Sequence, residues 1–168
     1  NEASNILYRF IWHIFCDWYI ELIKPSLYEP ESKDNLESRN CSAWVLKIIL
    51  HLLHPFMPFV TEELWEKFSG NSIKDLNKKL IVSKWPNAFN SKDYIYANEE
   101  VNWLIEIVTQ IRSVRSELNI SQNIEIEAYF YSKDNKINNF FNNSKLSIER
   151  LSKLSKISKI ENENENGV

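Results

Sequence analysis

Glycine is almost missing from this chain: among 168 residues only Gly70 and Gly167 occur. A loop that cradles phosphates against its own backbone needs several glycines for close approach. None can be assembled here, which excludes nucleotide sites of the P-loop and dinucleotide types. Cysteine is also scarce. Cys16 and Cys41 stand alone without metal-ligand spacing, and they read as buried thiols in a reducing compartment rather than as a disulfide. No long hydrophobic run exists, since the apolar stretch 43–53 is too short to span a bilayer and carries Lys47 and His51. With no secretory leader visible, a cytoplasmic location without membrane contact is expected. Strong charge of one sign is absent too. The net charge is −3, and Glu161, Glu163 and Glu165 of the tail supply that much, leaving a neutral body. Residues 120–160 are mildly basic, with seven Lys/Arg against four Asp/Glu. A neutral body gives no broad electrostatic footprint for nucleic acid. The single methionine is Met57, and the chain opens in mid-pattern at Asn1-Glu2-Ala3-Ser4, as expected of a piece of a longer protein.

What is present is apolar and aromatic, 43% and 13% of residues with six tryptophans, enough for a sizeable core. The segment His54-Pro55-Phe56-Met57-Pro58-Phe59-Val60-Thr61-Glu62-Glu63-Leu64-Trp65 reads as a rigid corner between two helices. Pro is tolerated only in a helix's first turn, and Thr61, Glu62 and Glu63 supply a cap and negative charge for a new start. Before the corner, residues 4–24 read as a long helix ended by Pro25. Its polar residues Asn5, Arg9, His13, Asp17 and Glu21 form one stripe on an otherwise apolar cylinder, which predicts a helix inside a bundle. Residues 26–38 read as a loop, and a second helix is expected from about 40 to 54 with Lys47, His51 and His54 exposed. A third, from about 58, stops at Gly70. Leu80-Ile81-Val82 reads as a short extended piece before Trp85-Pro86. A fourth helix spans about 97–119 with Val101, Leu104, Val108, Ile111 and Leu118 buried.

The period then changes. Ile124–Tyr131 begins with strict alternation, as a half-buried strand does. A helix over about 136–154 follows, burying Ile137, Phe140, Phe141, Leu146, Ile148, Leu151 and Leu154, and Ile157 and Ile160 make a second short strand. The fold class is mainly α: an antiparallel helical bundle (1–119), a small α/β appendage (120–160) and a tail (161–168) disordered on composition.

Little in this pattern carries chemistry. His51 and His54 are three apart on one helix but lack a third ligand at a sensible spacing, so surface or capping roles are expected. Lys156-Ile157-Ser158-Lys159-Ile160 resembles the Lys-Met-Ser-Lys-Ser loop of class I aminoacyl-tRNA synthetases. Here it merely continues a three-residue period from Leu151, with Ser and Lys in solvent and Leu and Ile buried, and no His-x-Gly-His partner exists. Glu62 and Glu63 are adjacent, so helix-start electrostatics explains them better than acid/base catalysis. No catalytic site is expected.

Three segments together resemble the anticodon-binding region of valyl-tRNA synthetases. They are Leu7-Tyr8-Arg9-Phe10-Ile11-Trp12-His13 running on through Phe15-Cys16-Asp17-Trp18-Tyr19 to Pro25, then Leu52–Trp65 across the corner, then Trp85-Pro86 followed by Ile111-Arg112-Ser113-Val114-Arg115-Ser116-Glu117. Leucyl and isoleucyl enzymes share the Pro-Phe…Glu-Glu-Leu-Trp and Trp-Pro features. The Phe-Cys-Asp-Trp-Tyr run and His-Pro-Phe-Met-Pro-Phe favour the valyl branch. The resemblance implies a tRNA anticodon stem-loop as partner, together with the rest of a synthetase chain, in a monomer. It implies a parent that joins valine to tRNA with ATP and Mg2+, neither cofactor being held by this region. A helical protein-interaction module without RNA is the alternative of another class.

Helix lengths and the resemblance together nominate RNA contacts. A 20-residue helix is about 30 Å long, so the Pro55/Pro58 corner and the Lys24–Tyr28 segment fall at opposite ends. Loop bases are held by apolar contact and stacking with Lys/Arg on phosphates. Lys24, Pro25, Leu27 and Tyr28 are therefore the first candidates, against a role for Leu27 and Tyr28 in capping the core. Lys67 is expected near Lys24. Arg112 and Arg115 are candidates either for RNA or for pairing with glutamates of the bundle.

Overall fold

The computed structural model describes residues 1–28, 33–70, 78–87, 94–121 and 123–161. The acidic tail beyond Glu161 and the link at 71–77 lie outside them. Two compact units form, Asn1–Phe89 and Asn90–Val168.

Among the described residues, the regular structure of the first unit is all helical. Its first helix runs unbroken as α1 (Glu2–Arg9), a π-helical stretch (Phe10–Ile20) and α2 (Glu21–Leu27). Pro25 does not end it. The ring sits inside α2 and the helix continues two residues further, because the N–H that Pro lacks belongs to a last turn in which Tyr28 N–H still reaches the Pro25 carbonyl, 3.2 Å away. Nor does this helix lie inside a bundle: no residue of α1, the π stretch or α2 is buried. It packs along one side on α3, leaving Ile6, Tyr8, Trp12 and Ile14 more than half exposed. Cys16 and Cys41, expected inside, are exposed for the same reason.

The second helix, α3 (Lys33–Leu53), starts seven residues earlier than the polar composition predicts. It runs antiparallel to the first. Ile20, Ile23 and Leu27 share a groove with Arg39 and Ser42, while Ser4, Tyr8, Ile11 and Trp12 share one with Leu53, Phe56 and Met57. The proline corner and the Lys24–Tyr28 end thus stand at opposite ends, as helix length requires.

At the corner, α4 (Pro58–Ser69) starts with Pro58 in its first turn and ends at Gly70, whose φ of 65° is the left-handed cap expected of it. Thr61 is not the cap. It is buried inside the first turn, where its hydroxyl donates to the Met57 carbonyl at 2.8 Å. The single hydroxyl proton is thereby used, so the His54 Nδ1 proton donates to Thr61 Oγ1, also at 2.8 Å. This side-chain staple fixes the entry of α4.

Glu62 caps something other than its own helix. Residues Leu80–Val82 form a 3-10 turn rather than an extended piece, and the Glu62 carboxylate accepts the backbone N–H groups of Leu80 at 2.8 Å and Ile81 at 3.4 Å. Trp65 Nε1–H donates to the Lys78 carbonyl at 3.1 Å. Leu50, Trp65 and Leu80 form the buried cluster beneath. His51, expected in solvent, is 5% exposed: it stands edge-on to Trp65, Nδ1 on the Lys47 carbonyl at 2.7 Å and Nε2 on Ser83 Oγ at 2.8 Å. Burying the ring is tolerable because both nitrogens are partnered.

The second unit contains α5 (Ile95–Glu117), β1 (Ile126–Phe130), α6 (Asn135–Ser152) and β2 (Leu154–Lys159). Within this unit the apolar stripe of α5 is taken up by α6. Leu104, Val108, Phe140, Phe141 and Ile148 are buried there, Val108 and Ile148 completely. Phe130 and Phe141 stack at 4.2 Å, and Trp103 meets Phe130 edge-on at 6.1 Å. Each such buried ring contributes roughly 2–3 kcal/mol. Val101, Leu118 and Leu146 were expected to join them and are exposed instead.

The two strands pair in parallel around α6, a β-α-β unit. Ile126 pairs with Leu154 but Glu127 with Lys156, so Ser155 is an extra residue, a β-bulge. The bulge reconciles a three-residue period with a two-residue structure. Leu151 is buried at the end of α6, Lys153 turns the chain at φ 55°, and the extra residue brings Leu154 and Ile157 to one buried face.

Candidate nucleic-acid interface

The candidate surface is the end of α2 and the start of α3. Asn35, 3% exposed, donates from Nδ2 to the carbonyls of Ser26 at 2.9 Å and Leu27 at 3.0 Å. These are last-turn carbonyls, which a helix cannot satisfy internally. Ser26 Oγ donates to the Ile23 carbonyl at 2.8 Å, which leaves Ser38 to donate to Ser26 Oγ at 2.9 Å. Ser42 Oγ donates to the Ser38 carbonyl at 2.6 Å and stands 3.4 Å from the Tyr19 hydroxyl. Burial, aided by Cys41, pushes the Tyr19 phenol above its usual range. The spacing of Asn35, Ser38 and Ser42 sets one small polar stripe of α3 against the end of α2.

This network holds the chain end rigid while its side chains stay in solvent. Leu27 is 37% and Tyr28 80% exposed, so neither plugs the core. Lys24 is half-buried and pairs with Glu21 one turn earlier, a partly exposed pair of small energy. Leu27 forms the wall of a groove of about 400 Å³ shared with Ile20, Ile23, Arg39 and Ser42. An apolar floor with one guanidinium and one hydroxyl at its edge suits an unpaired base with its phosphate.

The sequence does not single out Arg39, because residues 26–38 read as a loop and the second helix is expected only from about 40. The signal was there: Asn35, Ser38, Arg39 and Ser42 repeat at helical spacing. Of the residues nominated from sequence, Lys24, Pro25, Leu27 and Tyr28 come together at this end. Lys67 lies in the last turn of α4, its ammonium 2.8 Å from Glu63. That contact holds the Lys67 ammonium above and the Glu63 carboxyl below their ordinary ranges.

Arg112 and Arg115 belong to the second unit, and both donate to backbone carbonyls. Arg112 sends Nε and a terminal nitrogen to the Leu151 carbonyl, at 3.1 and 2.8 Å. Arg115, 5% exposed, reaches the carbonyls of Lys153 at 3.1 Å, Ser121 at 2.9 Å and Ile124 at 2.6 Å. Cations at a helix C-terminus satisfy its free carbonyls and dipole.

The family model for the anticodon-binding domain of tRNA ligases matches residues 1–130. The chain belongs to that family. The domain is 50% identical over 120 residues to the valine–tRNA ligase of Rhizobium meliloti (strain 1021), covering 71% of this chain and 12% of that protein. It is 47% identical over 120 residues to that of Agrobacterium fabrum, again 71% and 12%. With that of Rhizorhabdus wittichii it shares 42% over 130 residues, 77% and 14%. The domain thus spans about an eighth of the length of these relatives. Its match ends at β1, so β2 and the end of α6, with the Leu151 carbonyl that holds Arg112 and the Lys153 carbonyl that is one of three holding Arg115, lie beyond it. Among the described residues no helix is long and apolar enough to cross a membrane.

Proposed function

We propose that this domain binds the anticodon stem-loop of tRNA within a longer cytoplasmic chain that is a valine–tRNA ligase. That chain would join valine to tRNA using ATP and Mg2+ held outside these 168 residues. Loop bases enter the α2–α3 groove against Ile20, Ile23 and Leu27, Tyr28 stacks on a neighbouring base, and Arg39 and Lys24 meet phosphates. The observation that supports this most is the groove itself: apolar, edged by Arg39, and held open by the Asn35 bonds to the Ser26 and Leu27 carbonyls. Lys67, Arg112 and Arg115 are not on the α2 and α3 elements that form this groove and contribute less.

Aminoacylation kinetics of the full-length enzyme test the reading. Lys24→Ala with Leu27→Ala should lower kcat/KM for tRNA about tenfold or more, while ATP-dependent valine activation stays unchanged. Charging at the wild-type rate would remove both residues from the interface.

A further inference from the structure

A second cleft, of about 330 Å³, opens on α3 against the segment after the 3-10 turn. Its walls are the indoles of Trp44 and Trp85, 48% and 59% exposed, and the exposed ammoniums of Lys47 and Lys84 stand at its edge. No Asp or Glu lines it among the described residues. Successive helical residues turn by about 100°, so the stripe of Trp44, Lys47 and His51 lies on roughly the opposite side of α3 from Arg39 and Ser42. This is a surface separate from the α2–α3 groove.

The cleft is built rather than incidental. The chain leading to Trp85 is fastened at three points: Trp65 on the Lys78 carbonyl, Glu62 on the Leu80 N–H, and His51 on Ser83 Oγ. Ser83 Oγ also stands 2.6 Å from the Leu80 carbonyl, so its one proton is shared between that carbonyl and His51 Nε2. Lys47 Nζ stands 5.8 Å from the centroid of the Trp65 ring, a cation–π distance, and Lys47 also lines the cleft. The two tryptophans are therefore carried on fixed backbone.

Two exposed indoles with two cations and, among the described residues, no carboxylate form the combination that holds single strands: every base has a face to stack, and every nucleotide brings a phosphate. A duplex offers no free base face, and an acidic peptide makes no use of the indoles. We infer that the Trp44–Trp85 cleft is a second RNA-contact site, taking an unpaired base between the indoles with Lys47 and Lys84 on the flanking phosphates. The inference rests on RNA being the ligand of this domain and adds a contact on the face of α3 away from the first groove.

The test is anisotropy of the full-length protein with labelled octauridylate, a duplex of equal length and a hexaglutamate peptide, with tRNA measured in parallel. Octauridylate should bind and the other two should not. Trp44→Ala and Trp85→Ala should each weaken octauridylate about tenfold or more, while Trp85→Phe keeps most of the affinity. Lys47→Ala and Lys84→Ala should each lower the log–log salt slope by about 0.7, which a purely structural role would not do. Unchanged thermal melting of the variants guards against unfolding. Octauridylate binding that ignores both tryptophans, equal binding of hexaglutamate, or tRNA binding without octauridylate binding would overturn the cleft while leaving the proposed function intact. Binding of neither RNA would remove both.

Discussion

The buried guanidinium of Arg115 donates to the carbonyl of Lys153, 3.1 Å away and 38 residues further along the chain. The same side chain holds the Ser121 and Ile124 carbonyls. One residue therefore ties the end of α5, the approach to β1 and the turn from α6 into β2. Arg115→Met would leave three carbonyls without their donor and should cost about 3 kcal/mol or more. Arg112→Ala, at an exposed position where the side chain bonds the Leu151 carbonyl, should cost about 1 kcal/mol. Urea denaturation followed by far-UV circular dichroism measures both. Equal losses would show that the three-way contact is not the organising one.

Asn35 plays the corresponding part in the first unit. Replacing it by Ala strands the Ser26 and Leu27 carbonyls and should cost about 1–3 kcal/mol. Asn35→Asp, which turns an acceptor toward acceptors, should cost at least as much. Hydrogen exchange is the sharper readout: amides of residues 24–28 should lose protection while those of α6 keep theirs. Protection unchanged at 24–28 would mean the α2 end is held by something else.

The bulge makes an unusual prediction about a deletion inside a strand. Ser155 has no partner on β1, whereas Leu154, Lys156 and Ile157 pair in order with Ile126, Glu127 and Ala128. Deleting Ser155 leaves Leu, Lys and Ile in plain alternation, the buried pair still on one face. Melting should change by less than about 1 kcal/mol. Deleting Ser158 pulls Lys159 to a half-buried position opposite Tyr129, and should cost clearly more. Equal effects would mean the strand register is set elsewhere.

Sequence reasoning reaches furthest where the local pattern is also the packing pattern. Gly70 ends its helix at positive φ, Ile126–Phe130 alternates as a strand, and the antiparallel return of α3 follows from helix length alone. It fails where a polar residue is buried for tertiary reasons. His51 and Arg115 look like solvent-facing positions on their helices, and only the backbone carbonyls and the serine they meet make burial tolerable. Glu62 sits at a helix start yet serves a turn 18 residues on. It fails a third time at the first helix, whose apolar breadth promises neighbours on several sides. The described elements cover one. The candidate surface was half legible: Lys24 to Tyr28 stood out by position, while Arg39 was hidden by the polar composition that disguised the first two turns of α3.

Reading of the anticodon loop by the α2–α3 groove is the function proposed for this domain. Its most direct measurement is the affinity of the full-length protein for tRNA with a valine anticodon against the same tRNA with a substituted anticodon, for wild type, Leu27→Ala and Arg39→Ala. The wild type should prefer the valine anticodon, and each variant should lose about tenfold of that preference with unchanged melting. Equal wild-type affinity for the two tRNAs, or a preference that survives both substitutions, would contradict it.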